Sequence, residues 1–143
     1  MNRNTTSPAA PPIEPGLGYQ IEPMRIEDFE AVFDLWQRTE GIGLNESDSK
    51  EQIAAYLDRN PGLSFVARKG SQVIGAGLCG HDGRRGYLHH LAVEKGFRRQ
   101  GVGRNLVEAC LRQLARHGIL KCNLFVFAEN GSGEAFWFRN GWT

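Results

Sequence analysis

Chemistry in this chain is most concentrated in Arg98-Arg99-Gln100-Gly101-Val102-Gly103-Arg104, where two glycines sit among cations at the junction between an apolar run and a stretch of helical periodicity. Free backbone N–H groups at a helix N-terminus and the positive end of its dipole favour phosphate oxygens, and glycines let a ligand approach the backbone closely. The arginines would add charge-assisted hydrogen bonds. Alone, a glycine pair opening a helix also reads as a tight turn. A dinucleotide fingerprint would need a further glycine where Leu106 stands, and no Walker G-K-[ST] is present, so neither of those phosphate binders is expected.

Just upstream, Tyr87 to Val93 carries two adjacent histidines, His89 and His90. Strand alternation puts Tyr87, His89, Leu91 and Val93 on one face and Leu88, His90 and Ala92 on the other, so the two imidazoles should do different jobs. A histidine titrating near ~6.5 suits proton removal at neutral pH, and His89 is the first candidate for a general base. The bland reading makes both histidines partly buried strand residues satisfied by hydrogen bonds. Cys79 reads as a small buried hydrophobe at a strand end rather than a nucleophile. His81-Asp82 with Arg84-Arg85 reads as a solvated turn, Phe33 and Trp36 as core.

These groups belong to a chain of 143 residues, 41% hydrophobic and 10% aromatic, which fits one globular domain. With Lys+Arg 17 against Asp+Glu 16 the formal net charge is +1, so no global field would draw the protein onto nucleic acid or an anionic membrane. The three cysteines, Cys79, Cys110 and Cys122, are scattered and form no C-x-x-C pair, which suits a reducing cytoplasm rather than a disulfide framework or zinc knuckle. No apolar run is long enough to span a bilayer, and no metal is expected. Residues 1–18 are polar and Pro-rich, without a signal- or transit-peptide pattern, and read as a disordered tail ahead of a domain over 19–143.

Patterning supplies the elements that must hold the chemistry in place. Tyr19 to Pro23 reads as a strand, and Phe29, Val32, Phe33 and Trp36 recur at helical spacing. Asp48 with Glu51 reads as a capping box for a second helix stopped by Asn60-Pro61-Gly62. Leu63 to Arg68 and Val73 to Cys79 form a hairpin pair across Lys69-Gly70-Ser71, and Gly80 to Gly86 reads as a glycine-rich turn into the strand Tyr87 to Val93. A helix from Val102 ends at Gly118. Ile119 to Phe127 is another buried-type strand and Glu134 to Arg139 a short helix. The order β-α-α-β-β-β-α-β-α predicts an α/β mixed sheet covered by helices on both faces.

Arg98-x-x-Gly101-x-Gly103 resembles the R/Q-x-x-G-x-G/A acetyl-CoA signature of the GCN5-related N-acetyltransferases, and Leu91-Ala92-Val93 precedes it at the family's spacing. Asn130, Phe136, Gly141 and Trp142 resemble the family's later N…F-Y…G-F block. The resemblance implies the acyl-CoA N-acyltransferase fold and transfer of an acetyl group from acetyl-CoA to a primary amine of a small molecule, peptide N-terminus or lysine, by direct attack in a ternary complex. It further implies that backbone groups of Leu91 and Val93 pair with the pantetheine arm and that N–H groups of Arg99, Gln100, Gly101, Val102 and Gly103 cradle the pyrophosphate. Asn130 would bind near the thiol end, and a bulge in the Tyr87 to Val93 strand would aim a backbone N–H near Leu91 or Ala92 at the thioester carbonyl.

A lysine-like amine of pKa ~10.4 needs roughly 4.6 kcal/mol to lose its proton at neutral pH, whereas a thiolate resembling cysteine at ~8.5 leaves at a cost of about 2 kcal/mol, so a base matters more than an acid. The family's usual acid, a tyrosine, is replaced by Trp137, whose indole donates a hydrogen bond but supplies no proton. A non-catalytic acyl-CoA binding module is the alternative, and an unrelated nucleotide-binding domain a third reading. The acceptor side is expected around Glu40-Gly41-Ile42-Gly43-Leu44-Asn45. The sequence ends at Thr143, where the family adds a hairpin, so Leu124 to Phe127 would form an exposed strand edge that invites a homodimer.

Overall fold

A computed structural model describes residues 2–4 and 18–124. In chain order the elements are β1 (Asn2–Asn4), β2 (Gln20–Pro23), α1 (Phe29–Gln37), α2 (Lys50–Arg59), β3 (Phe65–Lys69), β4 (Gln72–His81), β5 (Arg85–Val93), α3 (Val102–Arg116) and β6 (Lys121–Leu124). From β2 to β6 this is the order predicted from patterning. The helix expected over Glu134 to Arg139, and residues 125–127 of the last expected strand, lie outside the described residues.

The strands form one sheet in the order β1-β6-β5-β4-β3-β2. All neighbours are antiparallel except β5 and β6, which pair in parallel across α3. Patterning placed Asn2–Asn4 in a disordered tail, but these residues pair antiparallel with Asn123, Cys122 and Lys121. An edge strand offers a row of unpaired N–H and C=O groups that an extended segment can satisfy whatever its side chains, so hydropathy gives no warning of such a strand. The outer edge of β6 is therefore taken within the chain along Lys121–Asn123, whereas the edge expected to stand open, Leu124 to Phe127, starts beyond that pairing and lies outside the described residues after Leu124. Residues 5–17 lie outside the described residues.

One helix covers one face and two cover the other. Val102, Leu106, Val107, Cys110, Leu111 and Leu114 of α3 pack with Phe65, Ala67, Ile74, Cys79, Leu88 and Cys122. On the opposite face Val32, Leu35 and Trp36 of α1 and Ile53 of α2 pack with Val66, Val73, Ala76, Leu78 and Ala92. The end of α3 matches its sequence signal: Gly118 has φ 79, its N–H bonds Ala115 O at 3.0 Å, and Ile119 N bonds Leu114 O at 2.9 Å. Glycine tolerates that left-handed turn at no steric cost. The expected turn Gly80 to Gly86 is shorter, because β4 runs on to His81 and β5 starts at Arg85.

Two expectations fail along β5 and at the start of α2. Regular alternation along β5 breaks at His90: Ala76 pairs with Ala92 but Leu78 pairs with His89, so His90 and Leu91 together oppose Gly77. This is a β-bulge, with His90 at φ 54. The extra residue brings both histidines to the face bearing α1 and α2, where His89 meets Tyr56 and His90 meets Trp36. Asp48, expected to cap α2, does not do so: Ser49 is the N-cap, its Oγ accepting Gln52 N at 3.2 Å.

Candidate active site

The bulge on β5 places His89 and His90 with ring centroids 6.5 Å apart. His90 is the more firmly held. Its Nε2 lies 2.9 Å from Asp48 Oδ1, and its ring packs T-shaped with the Trp36 indole, centroids 5.0 Å apart. Asp48 is 5% exposed, and its other oxygen accepts Asn45 N at 3.1 Å. Both carboxylate oxygens are therefore engaged, as burying a charge requires.

His89, the base expected from the sequence, is half-buried beside Tyr56 of α2, with rings 6.5 Å apart and nearly perpendicular. Burial, reinforced by neighbouring His90 and opposed by Asp48, holds its pKa below the ordinary histidine value. An imidazole in that setting stays neutral near pH 7 and can accept a proton. The Tyr56 hydroxyl is buried with no hydrogen-bond partner among the described residues, and burial pushes its pKa above the ordinary tyrosine value.

The glycine-cation segment lies between the end of β5 and α3. Arg99 has φ 63 and Gly101 φ 83, so the chain turns sharply before the helix starts at Val102. Gly101 is the N-cap and no side chain caps the helix. The first-turn N–H groups are thus without the usual side-chain acceptor, the condition in which a helix N-terminus takes an anion. Arg99 and Arg104 are exposed, whereas Val102 and Gly103 are buried. Gln100 reaches back to Gly96 O at 3.4 Å.

The Arg98 side chain, expected among the donor-binding residues, is held by β5 and by the segment after α1. Its Nε donates to Val93 O at 3.0 Å and its Nη1 to Glu40 Oε1 at 3.0 Å, so the guanidinium ties β5 to the segment after α1. Arg38 makes a parallel tie to Glu94 at 2.7 Å. With Asp48 on His90, these contacts fasten residues 38–48, which enclose the expected acceptor segment Glu40 to Asn45, along the end of β5. Leu91 and Val93 pack against the α3 core. The ladder between β5 and β6 runs from Arg85↔Lys121 to Leu88↔Leu124, and among the described residues nothing pairs with that side of β5 beyond Leu88. Asn130 and Trp137 lie outside the described residues.

The remaining candidates have structural occupations. Contact with the Cys110 thiol and burial hold the Cys79 thiol well above its ordinary range, which suits packing rather than nucleophilic attack. Asp82 accepts Arg84 N and Arg85 N, both at 2.9 Å, and the Tyr87 hydroxyl at 3.0 Å. Those bonds pull its pKa to about 2, and the turn keeps Asp82 for itself. Asp48 was missed as a site residue because it was assigned to the α2 cap. The available signal was a pair of consecutive boxes, Asn45-x-x-Asp48 and Ser49-x-x-Gln52, the second of which frees Asp48 from α2.

Residues 29–142 match the acetyltransferase (GNAT) family. Acetyltransferase ECA0875 of Pectobacterium atrosepticum is 32% identical over 111 residues, covering 78% of each chain. Among solved structures, Ard1 from Thermoplasma volcanium superposes with a TM-score of 0.76 at 22% identity, over 87% of this chain and 82% of that one. The PaiA N-acetyltransferase from Thermoplasma acidophilum, solved in complex with coenzyme A, gives 0.76 at 23% identity, over 86% and 88%. The chain belongs to the GNAT family of acetyltransferases. Acyl transfer from coenzyme A is the chemistry that this membership fits. Among the described residues, no helix is long and apolar enough to cross a membrane.

Proposed function

We propose that the chain transfers the acetyl group of acetyl-CoA to a primary amine by direct attack in a ternary complex. One observation carries the reading: the same strand, β5, bears a bulge flanked by two imidazoles, has an edge without a described partner beyond Leu88, and leads into an uncapped helix N-terminus. These features fit the donor. N–H groups of Arg99, Gln100, Gly101, Val102 and Gly103, with the Arg104 charge, would hold the pyrophosphate, and Leu91 and Val93 would offer backbone to the pantetheine arm. Arg98 supports this cradle through Val93 and Glu40. Asn130 and Trp137 complete the proposed cofactor residues.

When bound, the donor supplies an activated thioester carbonyl. A backbone N–H near Leu91 or Ala92 then stabilises the developing oxyanion, a contribution worth about 3 kcal/mol where such donors have been removed. His89 takes the proton of the attacking amine, directly or through water, on a face where burial keeps it neutral. A small amine, a peptide N-terminus and a lysine all meet this chemistry. A reducing cytoplasm suits the buried thiols Cys79, Cys110 and Cys122.

The test is release of the CoA thiol from acetyl-CoA with a panel of amines, beside calorimetric titration with CoA. Gly103→Glu should abolish binding and turnover together, and His89→Ala should lower turnover with affinity kept. Failure of the wild-type protein to bind CoA would refute the proposal. Binding without turnover would leave a CoA-binding module.

A further inference from the structure

His90 occupies backbone space that bulky L-residues avoid, with φ 54 inside a strand. Within a paired strand, such a conformation carries a cost on the order of 1–3 kcal/mol that neighbouring contacts must offset. Here those contacts are on the side chain. Asp48 Oδ1 holds Nε2 at 2.9 Å, and the fully buried Trp36 packs T-shaped with the ring, centroids 5.0 Å apart. Asp48 is itself fixed by Asn45 N at 3.1 Å. One Asp48 oxygen serves the local turn, closing the capping box over Glu46–Asp48 by accepting Asn45 N, but α2 is capped by Ser49, so the oxygen on His90 serves neither turn. A carboxylate at a nearly closed position, with one oxygen spent on a strand 42 residues away, calls for a role at that strand.

We propose that Asp48 is a positioning residue for acetyl transfer, holding His90 in its left-handed conformation and so fixing the β5 bulge whose amides face the acyl carbonyl. The proposal rests on the acyl-transfer reading above. Within it, Asp48 has a task distinct from proton removal by His89. Through Asn45 the same carboxylate belongs to the acceptor-side segment, so the order of that segment and the geometry of the bulge are linked by one side chain.

The test uses the full chain and the variants Asp48→Ala, Asp48→Asn, His90→Ala and His90→Asn. Asparagine tolerates the left-handed region and can still donate to Asp48, so it keeps the clamp without an imidazole. Asp48→Ala and His90→Ala should lower kcat at least roughly tenfold, a scale of about 1.4 kcal/mol in barrier height, with CoA affinity unchanged. His90→Asn should restore most of the kcat lost in His90→Ala. Unchanged kcat in Asp48→Ala would overturn the proposal. So would a His90→Asn protein as inactive as His90→Ala, since that would make His90 a proton carrier. If the alanine variant does not fold by circular dichroism, Asp48→Asn takes its place with a smaller expected loss. If the wild-type protein shows no turnover, the acyl-transfer reading fails separately, and hydrogen exchange at Leu91 and Ala92 still decides the clamp. Exchange should quicken in the Asp48 variants, and unchanged exchange would overturn it.

Discussion

Leu88 and Ala92 stand four residues apart on β5 yet point to opposite faces, Leu88 into the α3 core and Ala92 into the core under α1 and α2. In a regular strand, residues an even number apart share a face. The extra residue at the bulge inverts the relation and gives α1 and α2 both histidines. Deleting His90 should therefore be costly, since restoring the regular register turns one of the two apolar sets away from its core. A loss on the order of 3 kcal/mol or more is expected from urea denaturation. A deletion variant with the wild-type midpoint would show that the bulge is not built into the packing.

The pKa of His89 is held below its ordinary value mainly by burial, then by His90, while Asp48 pulls the other way and Tyr56 faces it from α2. The folded protein therefore binds this proton less readily than the unfolded chain. Stability from this group is complete above about pH 6.5 and declines as the pH falls through that value. The acid limb of kcat should lie below the same point. His89→Ala should remove the limb, and Asp48→Asn, which deletes the opposing charge, should move it to still lower pH. An acid limb above pH 7 in the wild-type protein would exclude His89 as the group responsible.

Arg98 and Arg99 are neighbours with different work. Arg98 bonds Val93 O and Glu40, whereas Arg99 is exposed and has no partner among the described residues. Arg99→Ala should weaken CoA binding by roughly tenfold or less, with an effect that shrinks at high salt, and leave the melting temperature unchanged. Arg98→Ala should lower the melting temperature by a few degrees, because a strand carbonyl loses its charged donor. Calorimetry and thermal denaturation on both variants separate the roles. Equal losses of affinity without loss of stability would make Arg98 part of the cradle as well.

Much of this was legible in sequence. Helical spacing at Val102, Leu106, Val107, Cys110 and Leu114 located α3, and the glycine-cation segment located its N-terminus. The bulge was expected only through the family resemblance. A strand period of two has no symbol for an inserted residue, so alternation alone sent the histidines to opposite faces. Asp48 was seen but misassigned, because a carboxylate before a helix fits a cap as well as it fits a partner from a distant strand. Asn2–Asn4 escaped because edge pairing is made by backbone, on which side-chain patterning is silent.

Gly86 offers a test of how tightly α3 sits on the sheet. A Cβ there would lie 2.5 Å from Leu114 Cδ1 and 3.0 Å from Cδ2. Leu114 is completely buried, so its methyl groups have no open space to move into. Gly86→Ala should cost about 1–3 kcal/mol, the scale of overpacking in a closed core. Leu114→Ala alone should cost about 2–5 kcal/mol through its cavity. The added methyl fills part of the space that Leu114→Ala vacates, so the double variant should be more stable than the sum of the single losses predicts, by on the order of 1 kcal/mol. Strict additivity in the thermodynamic cycle would mean that α3 can lift from the sheet at Gly86, and the contact would then not set the spacing between helix and strand.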